Sequence, residues 1–138
     1  MNDPYATFET RLAPLERYAD DAARVGLGLV ILFAGVHKLF DPDAWAVYVD
    51  PWLAGLLPMS PVAFMLLNGV LELPFALALL LDRYTTAAAA FVTASLVATI
   101  AYLSAVALVG DGAAVDVIVR DVGLAALAGA VTLRSAAD

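Results

Sequence analysis

The chain has 138 residues, 63 % of them hydrophobic, with seven Lys and Arg against fourteen Asp and Glu and a net charge of -7. Soluble domains hold roughly 45 to 50 % apolar residues, so this is the composition of a membrane protein, long enough for one domain with four crossings of about 20 residues each. The negative charge speaks against nucleic acid, which is bound by a basic face, and the lack of cysteine excludes dithiol relays, Fe–S clusters, thiolate zinc sites and disulfides.

Residues 1–22 are polar and acidic, with no basic stretch leading into an apolar core, and so do not read as a secretory signal. Phe8, Leu12, Leu15 and Tyr18 recur there at helical spacing, which suits either an amphipathic helix on the membrane surface or a flexible tail on the cytoplasmic side. The first crossing is expected at about 24–40, stopped by Pro42. Residues 41–61, with Trp45, Tyr48 and Trp52 among aspartates and prolines, read as an outer aromatic loop at the interface.

The second crossing is expected at about 62–81, followed by a tight turn at DRY, and the third at about 86–109, followed by a turn at GDGAA. The fourth is expected at about 115–133. The predicted fold is an all-α polytopic membrane protein, a four-transmembrane-helix bundle. Arg11, Arg17, Arg24, Arg83 and Arg134 fall on one side and Lys38 on the other, so both termini are expected in the cytoplasm. Acidic loops almost without lysine, on an Ala/Val-rich chain, suit a halophile, where carboxylates keep surfaces hydrated in concentrated salt.

Polar groups inside the crossings gather in one half. At about 1.5 Å per residue, Asn68 lies roughly 9 Å and Glu72 roughly 15 Å below the outer end of the second crossing, sharing a face at i,i+4. Arg120 and Asp121 lie roughly 8 to 10 Å down the fourth, and His37 and Lys38 sit within a turn of the outer end of the first. Ser95, Thr99 and Tyr102 form a stripe on the third. An unpaired charge in hydrocarbon costs about 2.5 to 3.5 kcal/mol or more, so Lys38, Glu72, Arg120 and Asp121 are expected to point inward, mutually paired, around one pocket. Simpler readings stand beside this one: Asp116 paired with Arg120 at the helix start, Lys38 snorkelling to the headgroups, the hydroxyl stripe as packing glue, and Gly28, Gly35, Gly123 and Gly129 allowing close helix approach. The single histidine cannot by itself supply a pair of axial haem ligands, which would need a methionine partner or a second copy of the chain, and no metal or flavin motif is present.

The stretches RVGLGLVILFAGVHKLFDP, NGVLELPFALALLL and VIVRDVGLAALAGAVTL, in this order, resemble the DoxX/DoxD-like family of small four-helix membrane proteins. The resemblance covers about residues 24–133 and touches Gly35, Lys38, Glu72, Arg120 and Asp121. Members look like membrane subunits of redox systems, among them the quinone-reducing small subunit of a thiosulfate oxidoreductase and a partner in a bacterial thiol-oxidant defence complex. The resemblance implies a quinone as ligand and a soluble or membrane redox partner.

Three functions compete. In a quinone-linked redox subunit Lys38, Arg120 and Tyr102 would donate to the ring, Asn68 and Asp121 would complete the site, and Glu72 would carry the proton as catalytic residue. In a non-catalytic scaffold or assembly subunit the buried charges would fix helix register. In a small anion or proton transporter Lys38 and Arg120 would form the positive site. No surface feature decides between a monomer and a homo-oligomer.

Overall fold

The computed structural model describes residues 4–110 and 114–137. Met1 to Asp3, Asp138 and the middle of the expected GDGAA turn, Asp111 to Ala113, lie outside the described residues. Among the described residues every regular element is helical. They are α1 (Pro4–Leu12), a 3-10 stretch (Ala13–Tyr18), α2 (Ala19–Phe40), α3 (Asp43–Ala46), α4 (Pro51–Ala54), α5 (Pro61–Leu80), α6 (Thr85–Val109) and α7 (Val115–Ser135).

Local chemistry sets the boundaries. α2 begins at Ala19, a little more than a turn before the Arg24 start that hydropathy suggests, because the polar ADDAA segment continues the helix beyond the apolar run. It ends where Pro42 disfavours helical geometry for the residue before it, and Asp41 takes φ −139°, ψ 70°. The expected loop at 41–61 contains two one-turn helices, the second capped by Asp50, whose side chain accepts from the Trp52 amide at 3.1 Å. α5 opens with Ser60 capping the Ala63 amide and Pro61 at its first turn, and it continues through Pro74. In the DRY turn both Asp82 (φ 52°) and Tyr84 (φ 55°) adopt left-handed geometry. The Asp82 carboxylate accepts from the Thr85 hydroxyl at 2.7 Å, which holds the turn closed.

Arg24 has a role that hydropathy does not reveal. Its Nη1 donates to the carbonyl of Leu79 at 2.6 Å and of Leu80 at 3.4 Å, and its Nε lies 3.4 Å from Asp82. One guanidinium thus satisfies the last carbonyls of α5 and joins that end to α2. Arg24→Ala is expected to cost about 2 kcal/mol, the range for hydrogen bonds from a charged donor, measured as a lower unfolding temperature in detergent.

The four long helices close into a ring in chain order, each touching its sequence neighbours, and α7 touching α2. Two pairs are tight, α2 with α5 and α6 with α7; the seams between the pairs are looser. Glycine explains the first pair. A Cβ on Gly69 would stand 2.8 Å from the Gly35 carbonyl oxygen and one on Gly35 3.1 Å from that of Gly69, so the two backbones touch there. In the second pair buried Ala88, Ala89 and Ala128 do the same work. Thr86 adds a hydrogen bond to the Ser135 carbonyl at 2.9 Å. Gly123 and Gly129 are not at a close approach: a Cβ on either would meet nothing within 4 Å. That expectation is corrected, because α7 packs through its alanines and leaves these glycines on open faces.

A core of Leu27, Ile31, Leu79, Val92, Val131 and the alanines fills the half of the bundle near Arg24. At the other end a smaller cluster forms around Leu103, Ala114 and Val117. Outward faces carry Phe33, Phe40, Val97, Leu108, Val119 and Leu133, all exposed, as a bilayer requires. Among the described residues three helices, the one through α2, α5 and α6, are long and apolar enough to cross a membrane. α7 is as long as α5 and completes the bundle, but it carries Asp116, Arg120, Asp121 and Arg134. The protein is an all-α membrane protein.

Candidate functional site

The Gly35–Gly69 contact decides what faces what one turn further along. Lys38 follows Gly35 by three residues, and Asn68 and Glu72 flank Gly69 on the same face of α5. The Lys38 Nζ therefore donates to Glu72 Oε1 at 2.5 Å and to Asn68 Oδ1 at 3.3 Å. Lys38 is 6 % exposed, so it does not snorkel to the headgroups. Glu72 Oε2 is also buried and has no hydrogen-bond partner among the described residues.

The second ion pair lies within α7. Arg120 holds Asp121 through Nε and Nη2, both at 2.9 Å, and Asp121 is 3 % exposed. Arg120 pairs with its neighbour rather than with Asp116, which is exposed. The four charges form two separate pairs, Lys38 with Glu72 and Arg120 with Asp121, and the Arg120 side chain is 53 % exposed.

Trp45 joins the two pairs. Its ring lies 4.4 Å from the Lys38 ammonium and 6.0 Å from the Arg120 guanidinium, within reach of a cation–π attraction on both. Its indole Nε1 donates to His37 Nδ1 at 2.7 Å. His37 is thus tied to Trp45. In the sequence Trp45 reads as an interface anchor. The only signal for its role was the Asp41–Pro42 turn, which folds α3 back over the end of α2.

Tyr102 lines the site with its ring, but its hydroxyl is committed. It donates to the Tyr48 carbonyl at 3.0 Å and accepts from the Asp50 amide at 2.8 Å. Its expected part as a donor to a ligand is corrected: Tyr102 ties the 41–60 segment to α6. Thr99 likewise spends its hydroxyl on the Ser95 carbonyl of its own helix. Tyr102→Phe is expected to unpair both backbone groups and to speed hydrogen exchange at Asp50 about tenfold, equivalent to about 1.4 kcal/mol, read by mass spectrometry of the 41–60 peptides.

Lys38, Asn68, Glu72, Tyr102, Arg120 and Asp121 all line one cavity of about 830 Å³. Its other walls are largely apolar, with Ile31 and Ala34 from α2, Leu96 and Leu103 from α6, and Val117 and Leu124 from α7. Paired charges at one end of an apolar slot can orient a molecule that is itself apolar with a polar end. Among the described residues no three His, Asp or Glu side chains gather as a metal would need.

A family model, DoxX, matches residues 19–109. The matched span takes in α2, α5 and α6 with Lys38, Asn68, Glu72 and Tyr102, and leaves α7 with Arg120 and Asp121 beyond it. No curated protein and no solved structure matches the chain. With well over half its length matched, the chain belongs to the DoxX family of membrane proteins.

Proposed function

We propose that the protein is the membrane subunit of a quinone-linked redox system and that the cavity is its quinone site. The observation that carries this reading is the cavity itself: side chains line about 830 Å³ that they do not fill, beside two ion pairs and the Trp45 ring. When bound there, a quinone supplies the two-electron, two-proton chemistry. Asn68 and Lys38 hold the polar end in place, and Glu72 is the carboxylate positioned to carry a proton. Electrons come from a partner protein, since the chain has no cysteine and no flavin motif. Both termini face the cytoplasm and the polar end of the cavity lies in the outer half, following the distribution of arginines.

In lipid nanodiscs, a benzoquinone with an isoprenoid tail should quench Trp45 fluorescence saturably; quenching that never saturates removes the reading. With the electron-donating partner present, Glu72→Gln should abolish quinone-dependent turnover while the protein still inserts. Turnover that persists shows that Glu72 does not carry the proton.

The self-contained pairing of both charges favours a second reading, a scaffold whose buried ions fix helix register. It forecasts that Arg120→Leu destabilises the bundle by stranding Asp121, and that adding Asp121→Leu restores it.

A further inference from the structure

We infer that the cavity opens sideways into the bilayer, through a slot between α2 and α7, and that its occupant is a lipid-borne molecule whose apolar tail leaves past Val30 and Phe33. The inference rests on reading the cavity as a ligand site and deepens it by naming the route and the kind of molecule.

The exposed residues of the cavity wall show where it opens. Val30, Phe33 and His37 on α2 and Arg120 on α7 are exposed, while the wall residues from α5 and α6 are at least partly buried. Val30, Phe33 and His37 fall at i, i+3 and i+7, one stripe of α2, so the slot is about 10 Å tall. This is one of the two looser seams of the helix ring.

The 41–60 segment lies over the end of the bundle. Trp45, Tyr48 and Leu53 of the 41–60 segment line the cavity from above, Val49 beside them is 8 % exposed, and the Tyr102 hydroxyl fastens the segment to α6. A ligand arriving from water meets this cover; one dissolved in lipid meets the slot. The slot is also graded along its height. His37 and Arg120 lie at the end near the cover, and Val30 and Phe33 lie deeper in the hydrocarbon, where an isoprenoid or acyl tail is at home.

The test places a fluorophore on single cysteines, which the absence of native cysteine makes site-specific. Phe33→Cys marks the slot, and Val97→Cys marks a lipid face of α6; both positions are exposed, so folding should survive either change. Each is made in a Trp52→Phe background, where Trp45 alone reports the ring. The probe is a benzoquinone whose isoprenoid tail carries a nitroxide, added to phosphatidylcholine vesicles. Quenching of Trp45 together with several-fold stronger quenching of the slot label than of the α6 label is the expected result. Equal quenching of both labels while Trp45 is quenched overturns the slot and leaves the cavity reading standing. If Trp45 is not quenched, both fall together.

Discussion

Lys38→Met is expected to lower stability by about 3 to 5 kcal/mol, the cost of stranding one member of a buried ion pair. Its ammonium is the partner of Glu72 Oε1 at 2.5 Å and of Asn68, and it sits under the Trp45 ring. With Lys38 gone, a carboxylate on a side chain only 20 % exposed is left among apolar walls. Converting Glu72 to Leu as well removes the stranded charge, and the double variant should recover most of the loss. Thermal unfolding of the three variants in one detergent checks this. A single variant that melts at the wild-type temperature would show that the pair contributes nothing, and with it that the site is not preorganised.

Gly69→Val attacks the same site through the backbone and is expected to cost about 3 kcal/mol or more, at the upper end of overpacking effects. The two nearest atoms a new Cβ meets are the Gly35 carbonyl oxygen at 2.8 Å and Lys38 Cβ at 3.0 Å, neither of which is the loose end of a side chain. The helices must part, and in parting they draw Lys38 from Glu72. Gly123→Ala is the control: its Cβ meets open space, and exchanging glycine for alanine inside a helix stabilises by about 1 kcal/mol. If Gly69→Val melts with wild type, the α2–α5 contact is looser than its geometry states. Loss of saturable quinone quenching in Gly69→Val but not in Gly123→Ala would place the two glycines' difference at the cavity as well.

Much of the architecture was legible because a bilayer imposes a simple rule: a crossing needs about 20 apolar residues with its backbone bonds internal. The three long apolar runs, with the proline-rich segment after the first and the DRY turn after the second, therefore set where the helices fall. Charges inside apolar helices are costly, which marks Lys38 and Glu72 in these runs, and Arg120 and Asp121 in the more polar α7, as residues that need partners. The choice of partners was not legible. Asp116, four residues before Arg120, and Asp121, beside it, are both within reach along the helix, and in the fold Arg120 holds Asp121. The Tyr102 hydroxyl looked free in a polar stripe, and only the return of the 41–60 segment across the bundle end showed it bound.

By itself the sequence determined an all-α membrane protein with opposite charges on three of its helices, because hydropathy and charge act residue by residue and need no knowledge of neighbours. Whether those charges close a core or border a space depended on how near each pair of helices approaches, which no single helix encodes. Gly35 against Gly69 drew α2 onto α5, the alanines drew α6 onto α7, and the looser seams between the pairs left the cavity. That division is a property of four surfaces packed together, so only the tertiary structure could decide it.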